Sequence, residues 1–365
     1  MRLSSVFLFG PLVLAACASP ASEPVSDDES DVTGACTGTA CASVAGPSAL
    51  ARGGLAVVGT KLYWVSPSVT LGSDGLPLDE LRSCDLPACA APASKTLVDD
   101  KGAPLHVERK SLKSAGGKVL FLARSPGAAL RLFLTDGQAL QPIGPGIDSQ
   151  HDGYAADDAG VLILSRDRRT DGWARSRLTS CSFASPTSCA KLDDKAFNYA
   201  FNFTLTKTRA VIETGGSVPS FDRGTLTDKR YEPIATGFTR SGFLPLGEDV
   251  FSSEVVVRER GGKVVHDMRV DGKAGAFIVQ GVITGWTSDG AAALYVGTVG
   301  EGDVFGIARA GVVARYRPGN ARSTTIAKEQ EVSGVAVDAS RVYWLDVTGV
   351  DAREERIGVI RFAKK

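Results

Sequence analysis

Surplus charge is the first thing this 365-residue sequence lacks: 41 basic and 41 acidic residues leave a formal net charge of +0. Without a basic excess there is no electrostatic footprint for nucleic acid, and no nucleic-acid partner is expected. Histidine and methionine are scarce, at three and two residues. His106, His151 and His266 stand far apart, and the chain contains no H-E-x-x-H, no P-loop and no G-x-S-x-G. The local signatures of zinc proteases, P-loop enzymes and α/β-hydrolases are therefore missing. No stretch reads as a useful helix; the nearest, 168–178, lies inside a repeat. Glycine is plentiful instead, at 41 residues, which fits a chain of many tight turns.

The N-terminus reads "MRLSSVFLFGPLVLAAC": Arg2, an apolar run, small residues, then Cys17. The run is short for a bilayer span and ends as an export signal does. Leu14-Ala15-Ala16-Cys17 closely resembles a bacterial lipobox. That resemblance implies cleavage before Cys17, a diacylglycerol on its thiol, and attachment to a membrane without a spanning helix. Ala18 in place of Asp implies sorting to the outer membrane of a Gram-negative envelope. Residues 1–16 are then a signal peptide and 17–40 a flexible tether, rich in Ser, Ala, Asp and Pro. Its "DDESD" at 27–31 lacks the glycine and spaced acceptors of a calcium loop.

Six cysteines remain, in three close pairs: Cys36/Cys41, Cys84/Cys89 and Cys181/Cys189. An even count in an exported chain predicts disulfides, and the clustering favours neighbours among the possible connectivities. None of the pairs is C-x-x-C and no histidine stands beside them, so no metal site is expected.

The two ends of the chain nearly repeat each other. "GLAVVGTKLYWVS" begins at Gly54 and "GVAVDASRVYWLD" at Gly334. The same template, a glycine or small polar residue followed eight residues later by an apolar triplet, recurs from Ser111, Gly153, Asn202, Gly242 and Gly285. Each copy reads as a short alternating strand, a polar turn, a β-branched or aromatic strand, and two further strands. Four strands at a period of 40 to 57 residues is the pattern of a propeller blade. The expected fold is all-β: a β-propeller of seven four-stranded blades over residues 41–365. Six or eight blades and a pair of sandwiches are the alternatives. The last copy ends after its third strand, and "CASVAGPSAL" at 41–50 is the candidate to supply the fourth and close the ring. Cys84/Cys89 and Cys181/Cys189 fall where they would staple the turn between third and fourth strands.

Tyr63-Trp64 and Tyr343-Trp344 resemble the YWTD and NHL-like extracellular propellers, and residues 52–365 resemble the propeller lipoproteins of myxobacterial type. Val65-Ser66 and Leu345-Asp346 replace the Thr-Asp of the motif, and the five middle copies lack Tyr-Trp. The resemblance implies a fold and carries no active site with it.

In propellers, ligands bind where loops converge around the central channel. In this register the loops before first strands supply Arg52, Arg109, Lys110, His151, Asp152, Asn198, Tyr199, Arg240 and Glu331, and a second-to-third loop supplies Arg166. These residues form the candidate ligand face. His151 and Asp152 are adjacent and would point to opposite sides of a strand, which argues against a cooperating acid/base pair. No catalytic residue and no cofactor is expected. The reading is a lipid-anchored envelope monomer that binds a protein or a glycan. The alternative is a propeller enzyme of lactonase, cyclotransferase or lyase type acting at the channel; a purely structural envelope role is a third.

Overall fold

The computed structural model describes residues 36–37, 42–49 and 54–365, except 88, 90–91, 109–110, 148–152, 169–173, 199–202, 207, 213–219, 223–227, 230–239, 261–262, 273–274, 291, 300–310, 321, 330 and 351–355. All of them belong to one compact unit, Val32–Lys365. Among the described residues there are seven sheets and no helix.

Six sheets follow one antiparallel plan, with strands laid side by side in chain order. The first comprises Leu55–Val58, Lys61–Leu71, Pro77–Asp85 and Ala93–Thr96. In the second, His106–Val107 and Lys113–Ala115 share the edge of Lys118–Arg124, followed by Leu130–Thr135 and Leu140–Ile147. The third runs Gly153–Ala156, Gly160–Arg168, Ala174–Ser182 and Ser185–Asn198. The fourth is short: Phe203–Leu205, Arg209–Ile212, Ser220–Asp222 and Asp228–Lys229. The fifth comprises Arg240–Leu246, Asp249–Arg260, Lys263–Gly272 and Gly275–Val279. The sixth comprises Val282–Ser288, Leu294–Val299, Gly311–Tyr316 and Thr324–Glu329. The repeat anchors read from the sequence fall at or beside the start of these sheets.

The seventh sheet breaks chain order. Val332–Val337, Arg341–Val350 and Arg356–Lys364 are its first three strands, and its fourth is the N-terminal strand Ala42–Ala49. That strand pairs antiparallel with the third, from Ala42 opposite Phe362 to Ala49 opposite Ile357. Upstream, Cys36–Thr37 adds a parallel edge to the sixth sheet, with Cys36 opposite Ala327. The N-terminal segment thus contributes to two consecutive sheets. Cys41 lies outside the described residues, so the pairing expected for Cys36 is not among the disulfides described.

Each sheet is buried on both faces, which explains the near-continuous apolar second strands. Along "KLYWV", Leu62 and Trp64 pack with Tyr343, Leu345 and Ile360 of the seventh sheet, while Tyr63 and Val65 pack with Phe121 and Phe133 of the second and with Leu105 in the connection to it. Tyr343 and Trp344 divide likewise, Trp344 turning to Tyr295 and Val313 of the sixth sheet. Further apolar clusters join the second to the third sheet, the third to the fourth, the fourth to the fifth and the fifth to the sixth. Trp64 and Trp344 are 1% and 0% exposed, as core residues should be.

Gly334 shows why a glycine opens the repeat. Its φ is +99°, and a Cβ on Gly285 would stand 2.8 Å from its Cα. Gly54 repeats the conformation at φ +102°, beside Gly334 in turn. First strands of neighbouring sheets come together backbone to backbone here, and a side chain would hold them apart.

Two disulfides sit where the spacing put them. Cys84, on the third strand of the first sheet, bonds Cys89 in the following loop, and Cys181 bonds Cys189 across the third-to-fourth hairpin of the third sheet.

Candidate functional site

The sheets present two kinds of edge. At one end, tight turns join first to second strands. Asp338 caps such a turn: its Oδ1 accepts the N–H groups of Ser340 and Arg341 at 2.6 and 2.7 Å, and its Oδ2 accepts the Tyr343 hydroxyl at 2.5 Å. Asp289 does the same for the N–H of Ala293 and the hydroxyl of Tyr295, and binds Lys365 Nζ at 3.2 Å. The aspartates shared by these repeat copies are therefore turn caps.

The opposite end carries the connections between sheets and the hairpins between second and third strands. These hairpins project. In the first sheet, the inner strand pairs only with residues 61 to 64, while the second strand runs on to Leu71. In the fifth, pairing with the inner strand stops at Glu254 and the hairpin continues to Arg260. Val69, Leu71 and Leu76 on the first hairpin and Val255 and Val257 on the second are large apolar residues left exposed, Val69 at 87% and Val257 at 65%.

The candidate ligand residues distribute around this end unevenly. Arg52, Arg109, Lys110, His151, Asp152 and Tyr199 lie outside the described residues. Arg166 stands in the projecting part of the second strand of the third sheet, opposite Ser176. Asn198 ends the fourth strand of that sheet, opposite Arg175, and Arg240 opens the fifth sheet, opposite Glu254. Glu331 lies in the connection to the seventh sheet, where its carbonyl accepts the Val347 N–H at 2.9 Å.

Three polar assemblies at this end were not foreseen. The first lies between the sixth and seventh sheets. Arg361 Nε donates to Asp346 Oδ2 at 2.7 Å and lies 3.7 Å from Glu329 Oε1, which also accepts the Trp344 indole N–H at 3.1 Å. All four residues are buried. Burial, and then the nearby Asp346 carboxyl, push the Glu329 carboxyl up to about 7, against the pull of Arg361 and Trp344.

The second joins the first sheet to the second. His106 Nε2 meets Asp74 Oδ2 at 2.6 Å, and that bond leads the interactions holding the Asp74 carboxyl below its ordinary range. Buried Asp79 accepts the Val107 N–H at 2.8 Å. Asp267 repeats this device in the fifth sheet by accepting the N–H of Gly281 at 3.1 Å. Each aspartate ties the third strand of one sheet to the chain entering the next.

The third is a pocket of about 460 Å³ beside the same seam, between the 97–105 loop and the outer strands of the second sheet. Phe133, Leu105, Leu140 and Pro142 supply apolar lining, and Lys101, Arg124 and Arg131 supply positive charge. Asp99 also lines it, but its oxygens are committed: Oδ1 to the N–H groups of Lys101 and Ala103, Oδ2 to the Ser125 hydroxyl at 2.7 Å. That last bond leads in lowering its pKa. Asp100 lines it as well, so the pocket joins an apolar floor to charges of both signs. Among the described residues no group of three His, Cys, Asp or Glu is placed to hold a metal ion.

No short motif announces these assemblies. The only sequence trace is a charge inside an otherwise apolar strand, as in "YWLDV" and "VIRFA".

The chain is all-β, and solved structures that resemble it are β-propellers. No family model matches it, and no curated protein does. It is similar to the β-propeller domain of the Trilobed protease from Pyrococcus furiosus, at 11% identity and a TM-score of 0.54, covering 85% of this chain and 93% of that one. It is also similar to the Pyrococcus horikoshii acylaminoacyl peptidase, at 8% identity and a TM-score of 0.53, covering 84% of this chain and 50% of that one. Against the tricorn protease the TM-score is 0.37 and the chain spans 36% of that protein's length. At these identities the likeness concerns the fold.

Proposed function

We propose that the protein is a lipid-anchored cell-envelope β-propeller of seven four-stranded blades, and that it binds a partner protein through its projecting second-to-third hairpins. Seven sheets in sequence support the blade count. The shared core of the first and seventh sheets, and the N-terminal strand on the seventh, support closure of the ring. The lipobox ending at Cys17 supports the anchor, with residues 1–16 as signal and 17–40 as tether to the domain at 41–365.

One observation carries the binding reading. Val69, Leu71, Leu76, Val255 and Val257 are exposed on hairpins of two different sheets, at the same end of the fold. Exposed large apolar side chains grouped on projecting elements favour an interaction surface. Their aliphatic character favours a protein over a glycan.

Photo-crosslinking in cells tests this. A crosslinker at Val69 or Val257 is expected to give discrete protein adducts, and one at Thr60 or Asn320, on turns at the other end, to give none. Equal labelling from both ends, or none from either, would overturn the reading. For the anchor, Cys17→Ser is expected to release the protein from salt-washed membranes.

A further inference from the structure

The hairpin that projects from the fifth sheet carries a row of backbone hydrogen-bonding groups with no strand beside it. Two tight turns fix which groups these are. Leu246 stands opposite Asp249, and Arg260 opposite Lys263, each pair closing a two-residue turn. Such turns close on a hydrogen-bonded pair, and bonded positions then alternate along each strand. Counted from Asp249, Phe251 and Ser253 turn their N–H and C=O groups toward the first strand. Counted back from Arg260, Arg258, Val256 and Glu254 turn theirs toward the third. The two counts agree, and Pro245, which has no N–H, falls at a non-bonded place opposite Val250. Further out, Val255, Val257 and Glu259 present their N–H and C=O groups to the first-strand side. Pairing on that side ends at Glu254 among the described residues.

The side chains continue an apolar face. Phe251 is 0% exposed, packed among Met268, Val270 and Leu294 where the fifth sheet meets the sixth. Val255 and Val257 follow on the same side at alternate positions, 42% and 65% exposed. Their register with the third strand is unbroken from Ser252 to Arg260.

Folded proteins blunt open strand edges with proline, bulges or charge, because a regular edge is a template for another chain. The hairpin of the first sheet is blunted in this way. Counted from the Val58–Lys61 pair, Pro67 falls on the first-strand side and offers no N–H, and the register shifts between Pro67 and Leu71. Neither device interrupts Val255, Val256 and Val257, three β-branched residues in succession that suit a strand.

We infer that the partner protein docks by strand addition. An extended segment of its chain lies along 255–259, exchanges hydrogen bonds with Val255, Val257 and Glu259, and sets apolar side chains beside the two valines. The sequence from Arg258 to Lys263 has three basic residues and one acidic, which favours an acidic residue at the end of the segment nearer the turn. The inference rests on the proposal that these hairpins bind a protein, and adds how that protein is held.

A photo-crosslinker at Val69, on the other hairpin, reports occupancy in cells without touching the edge. Val257→Pro removes one edge donor and no bond of the hairpin's own ladder, since Val257 faces His266 at a non-bonded place. It is expected to cut the Val69 adducts about fivefold or more. Glu259→Pro repeats the removal beside the turn, and melting temperatures of both variants separate edge loss from unfolding. Val257→Thr keeps the backbone groups and the β-branched shape and is expected to keep the adducts. Native-level adducts in the folded proline variants, or an equal loss in Val257→Thr, would overturn strand addition and leave the partner-protein proposal standing. No adducts from Val69 in the native chain would overturn both. A purified chain that is dimeric in light scattering, and monomeric as Val257→Pro, would show the edge pairing with a second copy and would likewise overturn the inference.

Discussion

Tyr343 donates its hydroxyl hydrogen to Asp338 Oδ2 at 2.5 Å, closing the turn between the first two strands of the seventh sheet. Two backbone N–H groups converge on the other oxygen of the same carboxylate. Burial and this bond push the Tyr343 phenol up to about 12. Asp338 is held below its ordinary value, its hydrogen bonds, led by that of Tyr343, outweighing desolvation. Tyr343→Phe removes one bond and is expected to cost about 1 kcal/mol in urea unfolding; Asp338→Ala removes all of them and is expected to cost about 2 kcal/mol or more. The carboxylate's contribution is present above its unfolded value and is lost as pH falls through its lowered folded value. Asp338→Asn should therefore reduce the acid sensitivity of unfolding.

Glu329 behaves in the opposite sense. Its carboxyl is raised to about 7, so its protonated form suits the folded state. The stability linked to it is fully present below the ordinary glutamate value and is lost as pH rises through about 7. Glu329→Gln keeps the acceptor for Trp344 without the charge beside Asp346. The variant is expected to lose less stability than the native protein between pH 5 and pH 8, measured by chemical unfolding across that range. An unchanged pH profile would show that the two carboxyls do not compete.

Gly334 joins a positive φ to backbone contact with its neighbours on two sides. Gly334→Ala is expected to cost about 1–3 kcal/mol through strain alone, and Gly334→Val more, because its branched side chain would extend from a Cβ already in contact with Gly54 and Leu55 of the first sheet. Gly319, whose φ is also positive but which has open space around it, is the control: Gly319→Ala should show strain without displacement. Melting temperatures of the three variants check the order.

Much of the fold was legible because the repeat is a physical necessity. A sheet packed on both faces needs a continuous apolar second strand, a tight polar turn before it, and room for the backbone at its start. "GLAVVGTKLYWVS" and "GVAVDASRVYWLD" write all three. The strand role of residues 42–49 was readable because the last repeat copy holds three strand runs where the others hold four. The parallel pairing of Cys36–Thr37 left no such trace, since two residues carry no periodicity. The end that carries the second-to-third hairpins was legible as a set of loops but not as chemistry. Buried Asp79, Asp267, Glu329 and Arg361 look in the sequence like ordinary solvated charges, because the groups they bond lie beyond any local motif, from 14 residues away for Asp267 to 28 for Asp79. The exposed valines look like ordinary core residues, since nothing local says that a strand has outrun its neighbours.

The most direct test of the architecture is amide hydrogen exchange of Arg356–Lys364 in the native chain and in one beginning at residue 50. In the native chain this strand is central in the seventh sheet, held by Arg341–Val350 on one side and by Ala42–Ala49 on the other. Closure by the N-terminal strand predicts that the truncation strips protection from the alternate amides facing 42–49 and lowers the melting temperature steeply. Unchanged protection and unchanged melting would contradict it.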